Sequence, residues 1–559
     1  MKLPQSFRPK LFDVIKNGYT RKDFFNDLVA GLIVGAVALP LAIAFGIASG
    51  VTPEQGLITA IVAGFICSML SGSRVQIGGP TGAFIVVIYG VVQKYGLPGL
   101  TITTIVAGVI VIAMGLAKFG SVIKFIPAPV ITGFTSGIAV IIFSTQIKDL
   151  FGLKMGTVPT EFLEKWSSYV EHIVSANYYA MGIGAVTLLM IIYFHKITKS
   201  LPSPFVALIV MTVIVQLFHI PVETIGSKFG EISSALPTVA LPTITFGALR
   251  ELFPSIITIA LLISIESLLS AVVADGMLGT KHRSNMELIA QGTANIFSGI
   301  FGGIPATGAI ARTATNIKSG GRTPIAGIIH ALFLLLVLVA IGSYTSMIPM
   351  PVLAAILVVV SYNMSEWRKF RSLFKAPKSD LVTLLTTFIL TVLVDLTVAI
   401  EVGMVLAAFL FMRTMAKVTN INVITNELNE NEELPEGQTH KTELPKGVVM
   451  FEINGPFFFG AAEKFTETIR SIGKLPNVLL LRMNSVPAID ATGIIVLEEI
   501  HKKLIADGGT LVIAEIHSQP YLACESSGLL RKIGEENVFG NLSDALIRIQ
   551  ILSEKTPSA

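Results

Sequence analysis

Two short stretches carry residue types suited to holding a small anion. Gly79-Pro80-Thr81-Gly82-Ala83-Phe84 and Pro305-Ala306-Thr307-Gly308-Ala309-Ile310 each follow a Gly-rich, non-helical break and open a short apolar helix. A helix start exposes amide N–H groups that have no intrahelical partner and carries roughly half a positive charge. Glycine at such a start lets backbone approach a ligand closely, and the Thr81 and Thr307 hydroxyls add donors. The expected binding residues are Thr81, Gly82 and Ala83 in one copy and Thr307, Gly308 and Ala309 in the other, an anion site that needs no metal. A single Gly-Pro-Thr-Gly run reads as a turn; two matched copies read as a site.

Two charged side chains fit the same chemistry. Glu266 is a carboxylate deep in an apolar run, Leu261-Leu262-Ile263-Ser264-Ile265-Glu266-Ser267-Leu268-Leu269-Ser270. Ionisable groups at membrane depth are costly and usually face a cavity or an ion path, so Glu266 is the expected coupling residue. Ser270 lies one turn further on the same face. Arg312 is four residues past Gly308, hence on its face of the helix, and can supply the fixed positive charge an anion needs; the competing reading is an arginine snorkelling to headgroups. Gly308 minus Gly82 is 226 positions, and Glu266 minus 226 is Pro40, so each half places a special residue 42 positions before its Thr-Gly-Ala. Duplicated halves with short Gly/Pro-interrupted segments at matching positions point to a secondary transporter with its site at the repeat interface.

Other chemistry finds little support. The eight His are scattered without ligand spacing, and the two cysteines, Cys67 and Cys524, form neither a disulfide framework nor a metal motif. No Gly-x-x-x-x-Gly-Lys-Ser/Thr run suggests ATP-driven transport, and no nucleophile–base pair suggests an enzyme. No cofactor is expected. Lys318-Ser319-Gly320-Gly321-Arg322-Thr323 reads as a cytoplasmic turn, and Asp275, at the end of an apolar run, as structural.

The elements that position these residues must lie in a membrane. Of 559 residues, 52% are hydrophobic and 14% charged, where a soluble protein carries roughly 25% charged. Apolar runs of about 17–25 residues, long enough to span a bilayer, recur to residue ~415. Fourteen spans are expected, near 27–49, 54–71, 81–93, 99–118, 122–145, 178–196 and 203–219, then 253–275, 285–301, 307–318, 324–343, 349–361, 378–396 and 398–416. The third and tenth are too short to cross alone and read as half-helices preceded by extended backbone, tolerated where protein or a water-filled cavity satisfies the polar groups. Alternate loops carry Arg74; Lys118 and Lys124; Lys196 and Lys199; Lys281 and Arg283; Lys318 and Arg322; and five Lys or Arg between 368 and 378. The positive-inside rule makes these loops and both termini cytoplasmic. The opposite loops are nearly free of Lys and Arg, except residues 148–177, which balance three Lys against four acids. A net charge of +4, dispersed between apolar runs, argues against a nucleic-acid partner.

The expected domains are a cytoplasmic segment 1–26, a transporter domain 27–416, a polar linker 417–444, a soluble domain 445–553 and a tail 554–559. The soluble part reads as a small α/β domain. It has a hairpin of 448–453 and 456–459 around Asn454-Gly455, helices over 461–472, 491–506 and 541–552, and strands over 478–483 and 510–516.

Taken together, the residues resemble the SulP anion permeases, the sulfate-permease solute carriers, over nearly the whole chain. The resemblance is carried by Ala38-Leu39-Pro40-Leu41-Ala42-Ile43-Ala44-Phe45-Gly46, Gly79-Pro80-Thr81-Gly82, Gly302–Thr313 with Arg312, Gly320-Gly321-Arg322-Thr323-Pro324 and a C-terminal STAS-like domain. It implies a helical polytopic fold of 14 spans in a 7+7 inverted repeat, with spans 1–4 and 8–11 as a moving core and spans 5–7 and 12–14 as a gate. It also implies a homodimer working as an elevator, with the anion near Thr81, Gly308 and Ala309. Sodium-dependent bicarbonate members carry Asp and Thr where this chain has Glu266 and Ser270, and Gly-Ala-Thr where it has Gly308-Ala309-Ile310. The chain is more similar here to proton-coupled members. In the soluble part Asp490-Ala491-Thr492-Gly493 is similar to the Asp-Ser-Ser-Gly turn of anti-sigma-factor antagonists, which are switched by phosphorylation; Thr492 reads either as such a site or as a helix N-cap.

The expected function is secondary-active, proton-coupled transport of small inorganic anions, sulfate favoured and bicarbonate next, in the plasma (inner) membrane. Sodium is the less favoured coupling ion. A C4-dicarboxylate/proton symporter is the alternative within transport. A passive channel, or a regulatory scaffold whose STAS domain binds a partner, are alternatives of other classes.

Overall fold

The computed structural model describes residues 4–121, 127–156, 158–159, 161–197, 202–230, 239, 242, 245–394, 396–424, 444–445, 447–471 and 475–554. Most of the expected linker and all but one residue of the expected tail 554–559 lie outside the described residues, as do Lys124 and Lys199. The chain divides into two compact units, residues 1–407 and 408–559.

Each expected span is helical. Span 1 is Arg21–Ala48 and span 2 Pro53–Leu70. Both start at capping boxes, Thr20 with Asp23 and Thr52 with Gln55, which satisfy the first free amides. Spans 3 and 4 are the two arms of Ile85–Leu116, preceded by the tight turn Gly82–Phe84 and broken at Gly96, whose φ of 66° no β-carbon favours. Span 5 is Ala128–Phe151, span 6 Tyr178–Ile197 and span 7 Ser203–Leu217. The second set runs Phe246–Leu278, Ser284–Ile300, Ile310–Lys318, Pro324–Ile341, Met350–Met364, Lys378–Leu393 and Leu396–Val418, spans 8 to 14. Among the described residues eight helices are long and apolar enough to cross a membrane unaided. Span 10, nine residues long, cannot.

Packing separates two groups of spans. Spans 1–4 and 8–11 pack mainly on one another, with the arms of spans 3 and 4 lying along spans 8 and 9, and span 11 lying against spans 1 and 2. Spans 5, 6, 7, 12 and 13 form a second group built around span 5. Within the first group small residues allow close approach. A β-carbon on Gly108 would strike the Gly292 carbonyl, and one on Gly292 the Gly108 carbonyl.

Two differences from the sequence reading stand out. Span 8 starts at Phe246, not near 253: Thr245 caps it by accepting from the Ala248 amide, and the helix runs on through Pro254. In the expected loop 148–177, residues Phe162–His172 form an amphipathic helix, with Lys165 and Tyr169 turned inward.

The soluble unit is a five-stranded sheet in the order β3 (Asn420–Ile424), β4 (Val448–Asn454), β5 (Val478–Ser485), β6 (Thr510–Ala514), β7 (Val538–Phe539). Two shorter strands, β1 (Gly78–Gly79) and β2 (Thr307–Gly308), lie in the membrane unit. β3 and β4 are antiparallel and the rest parallel. The expected hairpin around Asn454-Gly455 does not form. The antiparallel partner of β4 is β3, from within the expected linker, whose alternating Ile421 and Val423 pack against the core. Downstream, Phe457 makes a single parallel bridge to Ile489. The helices Phe459–Ser471, Ala491–Ala506 and Leu542–Glu554 fall where periodicity places them.

Asp490, not Thr492, is the N-cap of Ala491–Ala506: its carboxylate accepts from the Gly493 amide at 2.8 Å and the Phe459 amide at 3.2 Å. Thr492 is exposed in the first turn. Asp is as good a cap as Thr, and two positions before Thr492 it reaches the third helical amide, that of Gly493.

Candidate functional site

The two extended breaks meet. β1 (Gly78–Gly79) pairs antiparallel with β2 (Thr307–Gly308), Gly78 opposite Gly308 and Gly79 opposite Thr307. The Ala309 amide donates to the Ile77 carbonyl at 2.9 Å and closes the crossing. The helix starts of spans 3 and 10 are thereby held against one another, each half supplying one strand. Glycine is required at both crossings, since a β-carbon on Gly308 would run into the Gln76 amide and one on Gly79 into the Arg312 guanidinium.

Span 8 serves both copies, but differently. The Thr81 hydroxyl donates to Glu266 Oε2 at 3.0 Å, and both side chains are half-buried, open to a ligand. The equivalent Thr307 is fully buried. Its hydroxyl donates to the Ile263 carbonyl at 3.2 Å and lies 2.6 Å from Ser267 Oγ, which also accepts from the Gly308 amide at 3.1 Å. Neighbouring residues of one helix, 266 and 267, thus hold the two threonines. The Thr307 hydroxyl and the Gly308 and Ala309 amides are spent on the scaffold. The first turn of span 10 is left facing outward, with Ile310 42% exposed.

Arg312 is 2% exposed. Nη2 donates to the Pro80 carbonyl in the opposite break, and Nη1 has no hydrogen-bond partner among the described residues. The side chain is a cationic strut between the two crossings rather than a chain snorkelling to headgroups. Gly82 packs against Phe45, Ile142 and Met364, and Ala83 is fully buried, so these two residues shape the start of span 3 through their backbone. Ser270 is buried and donates to Thr313 Oγ1 at 3.2 Å, and that oxygen accepts from the Ile77 amide at 3.1 Å. Ser270 therefore ties span 8 to the crossing, a turn away from Glu266.

Several residues of this scaffold escaped the sequence reading. Gln76 donates to the Ser267 carbonyl at 3.1 Å, and Asn295 brackets Ala306 with two bonds of 2.8 Å, one to its carbonyl and one from its amide. A mid-span Asn in span 9 was the available signal, since buried amides in membranes are there to be paired.

Glu266 is not the single carboxylate sunk in the membrane unit. Glu287, in span 9, is fully buried and accepts from Ser71 Oγ, the Gly72 amide and the Ser73 amide at 2.6, 2.9 and 3.1 Å. Its other oxygen accepts from Gln291, which also reaches Cys67 Sγ. Asp27, at the base of span 1, accepts from Tyr19 and from the Arg322 and Thr323 amides, and so pins the 318–323 turn. Asp275 is likewise bound locally, to His282 Nδ1 at 2.7 Å and Thr280 at 3.1 Å. Glu287, Asp27 and Asp275 have their acceptors filled by scaffold donors, whereas Glu266 shares one hydroxyl and is open. A carboxylate at a helix start sets the local charge by gaining or losing a proton.

Comparison with known proteins covers most of the chain. The sulfate permease family model matches residues 24–387 and the STAS domain model residues 440–545. A putative sulfate transporter of Bacillus subtilis, YvdB, is 41% identical over 93% of this chain and 97% of its own length. The bicarbonate transporter BicA of a Picosynechococcus is 30% identical over 95% of this chain and 96% of its own. The structure of murine Solute Carrier 26 family member A9, an anion transporter, superposes with a TM-score of 0.87 at 19% identity, covering 97% of this chain and 94% of that one. At that identity the likeness establishes a common fold, 14 spans in a 7+7 arrangement, and the family models identify it as a helical membrane transporter with a C-terminal STAS domain.

Proposed function

The chain belongs to the sulfate permease family, and from that premise we propose that it carries small inorganic anions across the membrane by secondary-active transport, coupled to protons through Glu266. Sulfate is the first candidate and bicarbonate the next, as the names of the two relatives suggest. The proposed binding residues are Thr81, Gly82 and Ala83, with Thr307, Gly308 and Ala309 shaping the second helix start and Arg312 supplying fixed charge.

The observation that carries this reading is the Thr81–Glu266 hydrogen bond. A hydroxyl has one hydrogen to donate and two lone pairs. While Glu266 is ionised, the Thr81 hydrogen is spent on it. Once Glu266 is protonated it becomes the donor, and the Thr81 hydrogen is free for an anion. The charge balance runs the same way. Two helix starts contribute about +0.5 each and Arg312 one more; an ionised Glu266 cancels half of that total, and a proton restores the match to a dianion. Proton and dianion then favour each other's binding, reciprocally. Ser270, spent on Thr313, acts in this reading by holding span 8 rather than as a ligand.

In the proposed cycle the group of spans 1–4 and 8–11 moves as one body past spans 5–7 and 12–14, an elevator. Close packing through Gly108 and Gly292 supports a rigid moving body. The working unit is proposed as a homodimer in the plasma (inner) membrane with both termini cytoplasmic and the STAS domain binding a regulatory partner.

The test is uptake of labelled sulfate, bicarbonate and succinate by the full chain in proteoliposomes, each under an imposed proton or sodium gradient. Sulfate uptake accelerated by an inward proton gradient and indifferent to sodium is expected. A strict sodium requirement would favour a bicarbonate-type carrier, preferential succinate uptake a dicarboxylate symporter, and no uptake of any of them a regulatory scaffold.

A further inference from the structure

One cavity of the membrane unit does not have Glu266 in its lining. It has a volume of about 980 Å³ and opens among the last turns of spans 5 and 13, the amphipathic helix Phe162–His172 and the short helix Ile225–Phe229. These elements lie on the side of the loops expected to face outward. Its deep wall includes Ala44 and Ile85, and Ile85 directly follows the turn Gly82–Phe84 at the start of span 3. The cavity therefore ends behind the candidate binding site.

Three lysines line it: Lys148, Lys165 and Lys228. Two have partners. Lys148 Nζ donates to the Met155 and Gly156 carbonyls at 3.0 and 2.9 Å, and Lys228 pairs with Asp149 at 3.0 Å. Lys165 has no hydrogen-bond or ion-pair partner among the described residues, although it is only 4% exposed. One turn on, Tyr169 is 2% exposed and its hydroxyl is also unpartnered among the described residues. Residues i and i+4 of a helix share a face, so one face of Phe162–His172 presents two buried, unused donors. Burial lowers the Lys165 ammonium to about 8. A buried cation without a partner is unfavourable unless it is neutralised or meets an anion. Gln93 on the cavity wall adds an amide suited to a hydrated anion, while the Tyr89 hydroxyl and the Gln146 amide donate to protein oxygens.

We propose that Lys165 anchors an outer anion site, at which a small inorganic anion from the outer side is held before it reaches the crossing of spans 3 and 10. This gives a role to Lys165 within residues 148–177, the stretch that stood out against the positive-inside pattern. The kinetic half of the test below rests on the anion-transport reading; the labelling half does not.

The experiment labels full-length protein in nanodiscs with a membrane-impermeant amine-reactive ester and quantifies each lysine by peptide mass spectrometry. Sulfate, bicarbonate and chloride are compared with gluconate at equal ionic strength. At least one of the three should slow labelling of Lys165 about tenfold, the factor expected for one charge-assisted hydrogen bond, while exposed Lys154 is unaffected. Protection should persist in Arg312→Ala, because the two sites are separate. In proteoliposomes Lys165→Met should raise the KM for external sulfate about tenfold and leave the KM for internal sulfate unchanged, with Lys165→Arg restoring most of the loss. Equal labelling in all four anions, or protection that disappears with Arg312→Ala, overturns the proposal. If no variant transports any anion, the functional reading fails while the labelling result still decides whether the outer site exists.

Discussion

Thr81 and Glu266, 185 residues apart in the sequence, are joined by a hydrogen bond of 3.0 Å between the start of one half-helix and the middle of a span. This contact brings together the two residue classes a coupled anion carrier needs, a donor at a helix start and a half-buried carboxylate. If Glu266 is the proton site, sulfate uptake should rise as external pH falls. Glu266→Gln should still exchange anion but lose its acceleration by a pH gradient. Uptake measured at several external pH values in both forms decides this, and an unchanged pH response in the Gln variant would remove Glu266 as the coupling residue.

The same contact makes a second, sharper prediction. Thr81→Ser keeps the hydroxyl and should keep the pH response. Thr81→Val keeps the volume, loses the switchable hydrogen, and should weaken sulfate binding by ~0.5–1.5 kcal/mol with a flattened pH profile. Equal profiles for Ser and Val variants would show that the hydroxyl has no part in coupling.

Arg312→Ala should weaken anion binding by ~1.5–3 kcal/mol, the range of a hydrogen bond to a charged group. Lys should rescue only in part, since an ammonium cannot both reach Pro80 and leave a second nitrogen directed elsewhere as the guanidinium fork does. Gly79→Ala should copy the defect without touching the charge, because its methyl group would displace the guanidinium. Isothermal titration with sulfate on the detergent-purified chain measures all three.

Glu287 is expected to matter for folding rather than for transport. Glu287→Ala strands the Ser71 hydroxyl and the Gly72 amide, each costing about 1–3 kcal/mol when buried and unpaired, while the Ser73 amide keeps Ser71 Oγ as acceptor. Glu287→Gln keeps an acceptor and should be milder. Thermal unfolding in detergent should rank wild type above Gln and Gln above Ala. A Gln variant that melts normally yet loses pH-driven uptake would give Glu287 a transport role instead.

In the soluble unit, Asp490→Ala removes the cap of Ala491–Ala506 and should cost about 1 kcal/mol. Hydrogen exchange on the full chain would show faster exchange at Phe459 and Gly493, whose amides Asp490 holds. An unaltered exchange rate at Gly493 would mean the cap contributes little.

The parts of the molecule legible in sequence are those with a local physical signature. Fourteen apolar runs gave the spans, because length and hydropathy are set by the bilayer. Glu266 was conspicuous because a carboxylate is expensive where it sits. Thr81 and Thr307 were equivalent in sequence and are not in the structure: a single serine, Ser267, buries one of them. That asymmetry depends on which face of span 8 each break meets, which no local pattern encodes. Gln76 was hidden for the same reason, since its partner Ser267 is 191 residues away along the chain. Lys165 was counted as loop charge because the amphipathic helix that turns it inward lies in a stretch too polar to be a span. The strand Asn420–Ile424 was missed because its pairing partner lies beyond a polar insertion, while the turn-forming Asn454-Gly455 pointed the other way.

The two-stranded crossing of Gly78–Gly79 with Thr307–Gly308 has a bearing on how the molecule is made. Pro80 and Arg312 are 232 residues apart. When the first seven spans have left the ribosome, the break before span 3 has neither its partner strand nor its guanidinium, and its peptide groups face hydrocarbon unpaired, at several kcal/mol each. The nascent first half must therefore be sheltered, by the insertion machinery or by water drawn into the bilayer, until the second half arrives. Substitutions at Gly308, whose β-carbon would run into the Gln76 amide, should therefore lower the amount of chain integrated into the membrane as well as its transport.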